Sequence, residues 1–136
     1  MGRTRFYRTL DRTLDRTMDY RIQRACQVAA WLLAAAIVVV SLIPPSHRPT
    51  TGTSQGLEHV SIFLATGAAF GFGYPNRNWI LAPALVAFAG AIELAQLWAP
   101  GRHARMSDFL IDAAACCIGA GAAWMLLKLK DAAFGR

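Results

Sequence analysis

From Ala25 to Ile43 the chain carries no charged side chain, and the centre of that run reads WLLAAAIVVVSLI before Pro44 and Pro45 end it. A helix that crosses a bilayer needs about 20 mostly apolar residues. This run meets the requirement, and three more follow: Leu57 to Tyr74, Trp79 to Ala99, and Phe109 to Leu127. The second is the weakest, being short and glycine-rich and opening on Glu58 and His59. The apolar residues fall in continuous runs, not in the stripes of a half-buried element. A water-soluble bundle needs a polar face on each helix, which these runs lack. With 55% hydrophobic and 16% charged residues among 136, the excess apolar surface must face lipid. The expected fold is all-α, a four-transmembrane-helix bundle with spans at about 25–43, 57–74, 79–99 and 109–127.

The first run is too long for the apolar part of a signal peptide, about 7–15 residues, and SLIPPSHRP offers no small-x-small cleavage site. It reads as a retained span. Basic residues then set the orientation. Arg3, Arg5, Arg8, Arg12, Arg16, Arg21 and Arg24 precede the first span, Arg77 follows the second, and Lys128, Lys130 and Arg136 follow the fourth. Only Arg48, Arg102 and Arg105 of the 14 basic residues fall on the other side. Both termini are expected in the cytoplasm.

Residues 1–24 carry the repeat RTLD RTLD RTMD from Arg8 to Asp19. Four-residue repetition lines arginines along one side of a helix and Leu10, Leu14 and Met18 along another, with Arg8 and Asp11 spaced for pairing. The expectation is a cytoplasmic amphipathic helix on anionic lipid, continuous or nearly so with the first span, with a solvated, partly frayed helix as the alternative. The net charge of +6 does not point to nucleic acid, because the basic residues lie against a membrane and interleave with acids. Residues 128–136 are expected as a cytoplasmic tail.

Polar residues gather where the topology places the outer ends of the helices. His59 opens the second run, Glu93 and Gln96 close the third, and Asp108 and Asp112 open the fourth. Glu93 and Gln96 are spaced i,i+3 and Asp108 and Asp112 i,i+4, so each pair shares a helix face. Pro100 and Gly101 turn the chain between them. A carboxylate at this depth is costly unless paired or wet, and Arg102 and Arg105 are the expected partners of Glu93, Asp108 and Asp112. Two readings stand: an ion-pair cluster joining three helices, or an outward-facing polar pocket formed by His59, Glu93, Gln96, Arg102, Arg105, Asp108 and Asp112. His59 and His103, which titrate near neutrality, suit the second.

These residues, His59, then ELAQLWAPGR from Glu93 to Arg102, then SDFLIDAAACCIG from Ser107 to Gly119, resemble the VanZ-like family of small bacterial membrane proteins. The resemblance covers about residues 27–127. It departs at Gln55-Gly56, where the family has Asp-Lys, at Asp112 in place of Asn, and at Ala115 in place of Gly. It implies a multi-pass protein of the bacterial plasma membrane, in a family named for low-level resistance to the glycopeptide teicoplanin, and it brings no established reaction.

Three function classes follow. In a binding module, the outer pocket takes a lipid-linked or glycopeptide-related envelope ligand, with Arg102 and Arg105 on its phosphate or carboxylate. In an enzyme, Glu93 is the general base with His59 or Asp112 as the acid, although the chain holds no nucleophile motif, phosphate loop or His-Glu-x-x-His. In a structural or partner subunit, Gly67-x-x-x-Gly71 and AAACCIGAGAA let helices of this chain, another membrane protein or a second copy approach closely. No cofactor is called for. His59, His103, Glu93, Asp108 and Asp112 are plausible ligand types for a divalent ion but lack a regular metal-binding spacing, so no metal site is assigned. Cys26, Cys116 and Cys117 read as small packing residues. The loop PPSHRPTTGTSQG is rich in turn formers and is expected to move.

Overall fold

A computed structural model describes residues 3–43, 55–98 and 105–134, and side chains for 19–43, 56–77, 79–98 and 105–133. Four helices follow in order: α1 (Arg3–Leu42), α2 (Gln55–Gly73), α3 (Asn78–Gln96) and α4 (Met106–Phe134). Three are long and apolar enough to cross a membrane, over Asp19–Leu42, Trp79–Gln96 and Met106–Ala133. The second run does form a helix, α2, but it does not join these three. Glu58, His59, Ser61 and four glycines dilute its apolar content.

The N-terminal segment is helical and continuous with the first span, and the C-terminal end is more helical than expected. α1 is continuous over 40 residues, about 60 Å, twice the thickness of a bilayer's hydrocarbon core. α4 continues through Lys128 and Lys130 to Phe134, so most of the expected tail extends the helix. Leu, Lys and Ala are good helix formers, which accounts for that continuation. Lys130 Nζ lies 2.9 Å from Asp19 Oδ1, an exposed ion pair between α4 and α1. The RTLD side chains before Asp19, and those of the loop at 44–54, lie outside the described residues.

The helices alternate in direction. Gln23 and Gln27 of α1 reach Gly73 at the end of α2, so those two helices are antiparallel. Successive contacts of α2 with α4 pair Gly67 with Cys116 and Gly71 with Ala123, so these two run the same way. α2 lies between α1 and α4, and α3 lies against α4 and touches α1 sparsely. A bundle with two ends results: a turn end at Tyr74–Arg77 and a polar end carrying His59, Gln96 and Arg105.

Small residues make the closest contact. A Cβ on Gly67 would overlap the Cys116 carbonyl, and one on Gly119 would overlap the Leu64 carbonyl, so the α2 and α4 backbones touch. Gly71 continues the seam, where an added Cβ would sit 2.7 Å from Ala123 Cβ and 2.9 Å from Ala120 O. Cys116 Sγ donates to Phe63 O at 3.3 Å within it. The small-residue runs therefore meet each other inside the bundle. Meanwhile Leu32, Val39, Leu94, Leu110, Ile118 and Leu126 are exposed. Small residues make the α2–α4 seam while large apolar side chains also cover the outside, an arrangement that suits lipid and that water penalises.

The turn end holds a polar lock that the sequence reading did not single out. Gln27 Nε2 donates to Gly73 O at 2.8 Å and Gln23 Nε2 to the same oxygen at 3.1 Å. This satisfies a carbonyl that the end of α2 leaves without an intrahelical partner. Trp31 Nε1 donates to Tyr74 OH at 3.1 Å beside it. The available signal was the i,i+4 spacing of two glutamines at the edge of an apolar run.

Candidate functional site

At the polar end, α3 delivers Glu93 and Gln96 inward together. Both are buried, as their shared face predicts. Glu93 Oε1 accepts a short hydrogen bond from the backbone N–H of Arg105, the residue before α4. That places the carboxylate at the positive end of the α4 dipole, with one of the helix's orphan N–H groups satisfied. The Arg105 carbonyl in turn accepts from Asp108 N at 3.0 Å and Phe109 N at 3.2 Å. Arg105 thus engages Glu93 through its backbone, and no guanidinium forms a salt bridge with Glu93, Asp108 or Asp112 among the described residues. Arg102, His103 and the Pro100-Gly101 turn lie outside the described residues.

The expected Asp108 and Asp112 stripe divides. Asp108, in the first turn of α4, is exposed and accepts from Ser107 Oγ at 3.0 Å. Asp112 lies one turn deeper, is 3% exposed, and has His59 Nδ1 3.6 Å from its Oδ2. That separation is an electrostatic contact, longer than a hydrogen bond. A shared face does not give shared burial, because only Asp112 is deep enough to be covered by α2.

His59 stacks on Phe63 with ring centroids 6.3 Å apart, and Phe63 meets Phe88 at the same separation. Phe63 is fully buried, so a floor of aromatic side chains closes the site from below. The polar residues therefore occupy a shallow layer. Within it, Gln96 Nε2 is buried without a hydrogen-bond partner among the described residues. An orphaned buried amide costs about 1–3 kcal/mol. Such a group calls for either an explanation or a ligand. No three His, Cys, Asp or Glu side chains converge as a metal-ligand set among the described residues.

The structure thus brings His59 to Asp112 and Glu93 to Arg105, buries Gln96, and leaves Asp108 outside. Chemically, the layer offers two buried carboxylates as acceptors or bases and an amide donor without a partner among the described residues, with apolar walls that would strengthen any hydrogen bond made there. Comparison of the chain with protein-family models, curated proteins and solved structures found no match.

Proposed function

We propose that this is a VanZ-like multi-pass protein of the bacterial plasma membrane that binds a lipid-linked or glycopeptide-related envelope ligand at its polar end. Gln96 carries the reading: a donor is held buried beside Glu93 with no hydrogen-bond partner among the described residues. Glu93, Asp112 and the partly exposed His59 complete the site, with Arg105 and Asp108 at its rim; Arg102, which lies outside the described residues, is the further guanidinium of this reading. In this reading α2 also crosses the membrane, since it lies between two spans and shares the direction of α4. The basic residues put both termini in the cytoplasm and the polar end outside, and the RTLD segment rests its apolar stripe on anionic lipid.

Gln96→Met tests the binding role. It removes the orphaned amide while keeping volume, so the protein should gain about 1 kcal/mol or more in stability. In cells expressing the protein, any protection against teicoplanin should be lost at the same time. A stabilised variant that still protects would rule out Gln96 as a ligand group.

A second reading, a structural cluster, is favoured by the contacts of Glu93 with Arg105 and of His59 with Asp112, which tie α3 to the start of α4 and α2 to α4. It predicts the same rise in stability with no change in phenotype.

Sidedness is tested separately. In a chain freed of its three cysteines, Arg102→Cys should react with a membrane-impermeant maleimide on intact spheroplasts and Arg77→Cys should not. Labelling at 77 alone would invert the orientation and move the ligand search to the cytoplasm.

A further inference from the structure

At the turn end, α1, α2 and α3 surround a cavity of about 320 Å³ that the proposed function does not use. Its walls are Trp31 and Ala34 from α1, Phe70 from α2, and Leu85 and Phe88 from α3, with Arg77 at the mouth. It lies along the seam where α1 and α3 touch sparsely, so it opens sideways. One wall is stiff. Trp31 meets Phe70 edge-on at 5.4 Å, Phe70 stacks on Tyr74 at 6.0 Å, and Tyr74 accepts the Trp31 indole hydrogen bond. A neighbouring hollow shares Trp31 and Tyr74 and is lined on its other side by Arg24. Two arginines therefore flank one Trp–Tyr pair, and neither forms a salt bridge with a described acid. Arg24 is held in place by its hydrogen bond to Tyr20 OH, at 2.9 Å.

We propose that this cavity holds one acyl chain of an anionic phospholipid whose phosphate is bound by Arg77 and Arg24. The cavity runs from Arg77 to Phe88, roughly 16 Å along α3, an elongated apolar slot of a length that an acyl chain can fill. Charge and depth complete the match. The mouth is cationic, guanidinium groups suit phosphate, and a Trp–Tyr pair belongs at head-group level. The site is separate from the polar end, so it stands or falls independently of the ligand proposed there.

The test is native mass spectrometry of the full-length protein in mild detergent, offered equal amounts of dioleoyl phosphatidylglycerol and dioleoyl phosphatidylcholine. Wild type should retain the anionic lipid preferentially. Arg77→Gln and Arg24→Gln should each lower the ratio of anionic to zwitterionic adducts about fivefold, the equivalent of one basic side chain at a membrane surface. Ala84→Trp, which places an indole in the cavity, should reduce adducts of both lipids. Equal retention of the two lipids by wild type, or an unchanged ratio in Arg77→Gln, would overturn the head-group assignment. Undiminished adducts in Ala84→Trp would overturn the acyl-chain placement, and displacement of bound lipid by millimolar inorganic phosphate alone would show a bare anion site. Arg77 is exposed and precedes α3, so its variant keeps the proposal testable if Ala84→Trp does not fold.

Discussion

Gly119→Val is expected to abolish the folded bundle, while Gly121→Val, two residues on in the same helix, leaves it intact. At Gly119 the first carbon of any side chain meets the Leu64 carbonyl and lies 2.8 Å from Ala68 N. These are backbone atoms of α2, so no rotamer change relieves the overlap and the two helices must separate. Overpacking a core costs about 1–3 kcal/mol, and more when backbone must move. Separating α2 from α4 would also open the contacts at Gly67 and Gly71, so a loss above about 3 kcal/mol is expected, a large part of a typical domain's stability. At Gly121 an added Cβ meets nothing within 4 Å, because that position faces away from the seam. Size-exclusion profiles and thermal unfolding in mild detergent give the comparison. A monodisperse Gly119→Val protein with an unchanged Tm would mean that α2 and α4 do not pack along this seam.

The second large effect is expected at His59. His59→Ala removes the basic partner of an almost fully buried carboxylate and should cost about 2 kcal/mol, below the 3–5 typical of a fully buried pair because the imidazole is partly exposed. Asp112→Asn removes the charge that needs the partner. In that background, His59→Ala should cost under about 1 kcal/mol, leaving a coupling of about 1–2 kcal/mol between the two sites. Reversible denaturant unfolding of the four proteins in micelles measures it. Equal costs in both backgrounds would show that His59 supports the bundle through its stacking on Phe63 alone. Neither change touches Glu93 or Gln96, so the α3 half of the polar end can be assessed separately.

Much of the molecule was legible in the chain because bilayer length and hydrophobicity act on consecutive residues. The charge-free run from Ala25 to Ile43 lies within α1 except for its last residue, and the runs around Val86 and Ile118 became α3 and α4. α2 was equally legible as the weak case, since Glu58, His59 and four glycines stand in plain view. That Glu93 and Gln96 share one face followed from their i,i+3 spacing, which is a property of one helix. Asp108 and Asp112 marked the limit. Their spacing placed them on one face, but whether each is covered depends on how far α2 rises beside α4, which their own helix does not encode.

The sequence by itself determined the helical, membrane-type character of this protein, the end at which its polar residues gather, and the presence of small-residue faces on α2 and α4. Those are consequences of local periodicity and of the cost of placing polar groups in lipid. Tertiary structure decided the pairings: Gly67 with Cys116, His59 with Asp112, Glu93 with the Arg105 amide, and Gln23 and Gln27 with the Gly73 carbonyl. Each joins residues from different segments, and each depends on the register of one helix against another. Between α2 and α4 that register is set by the backbone contact at Gly67 and Gly119, which a chain read residue by residue cannot locate.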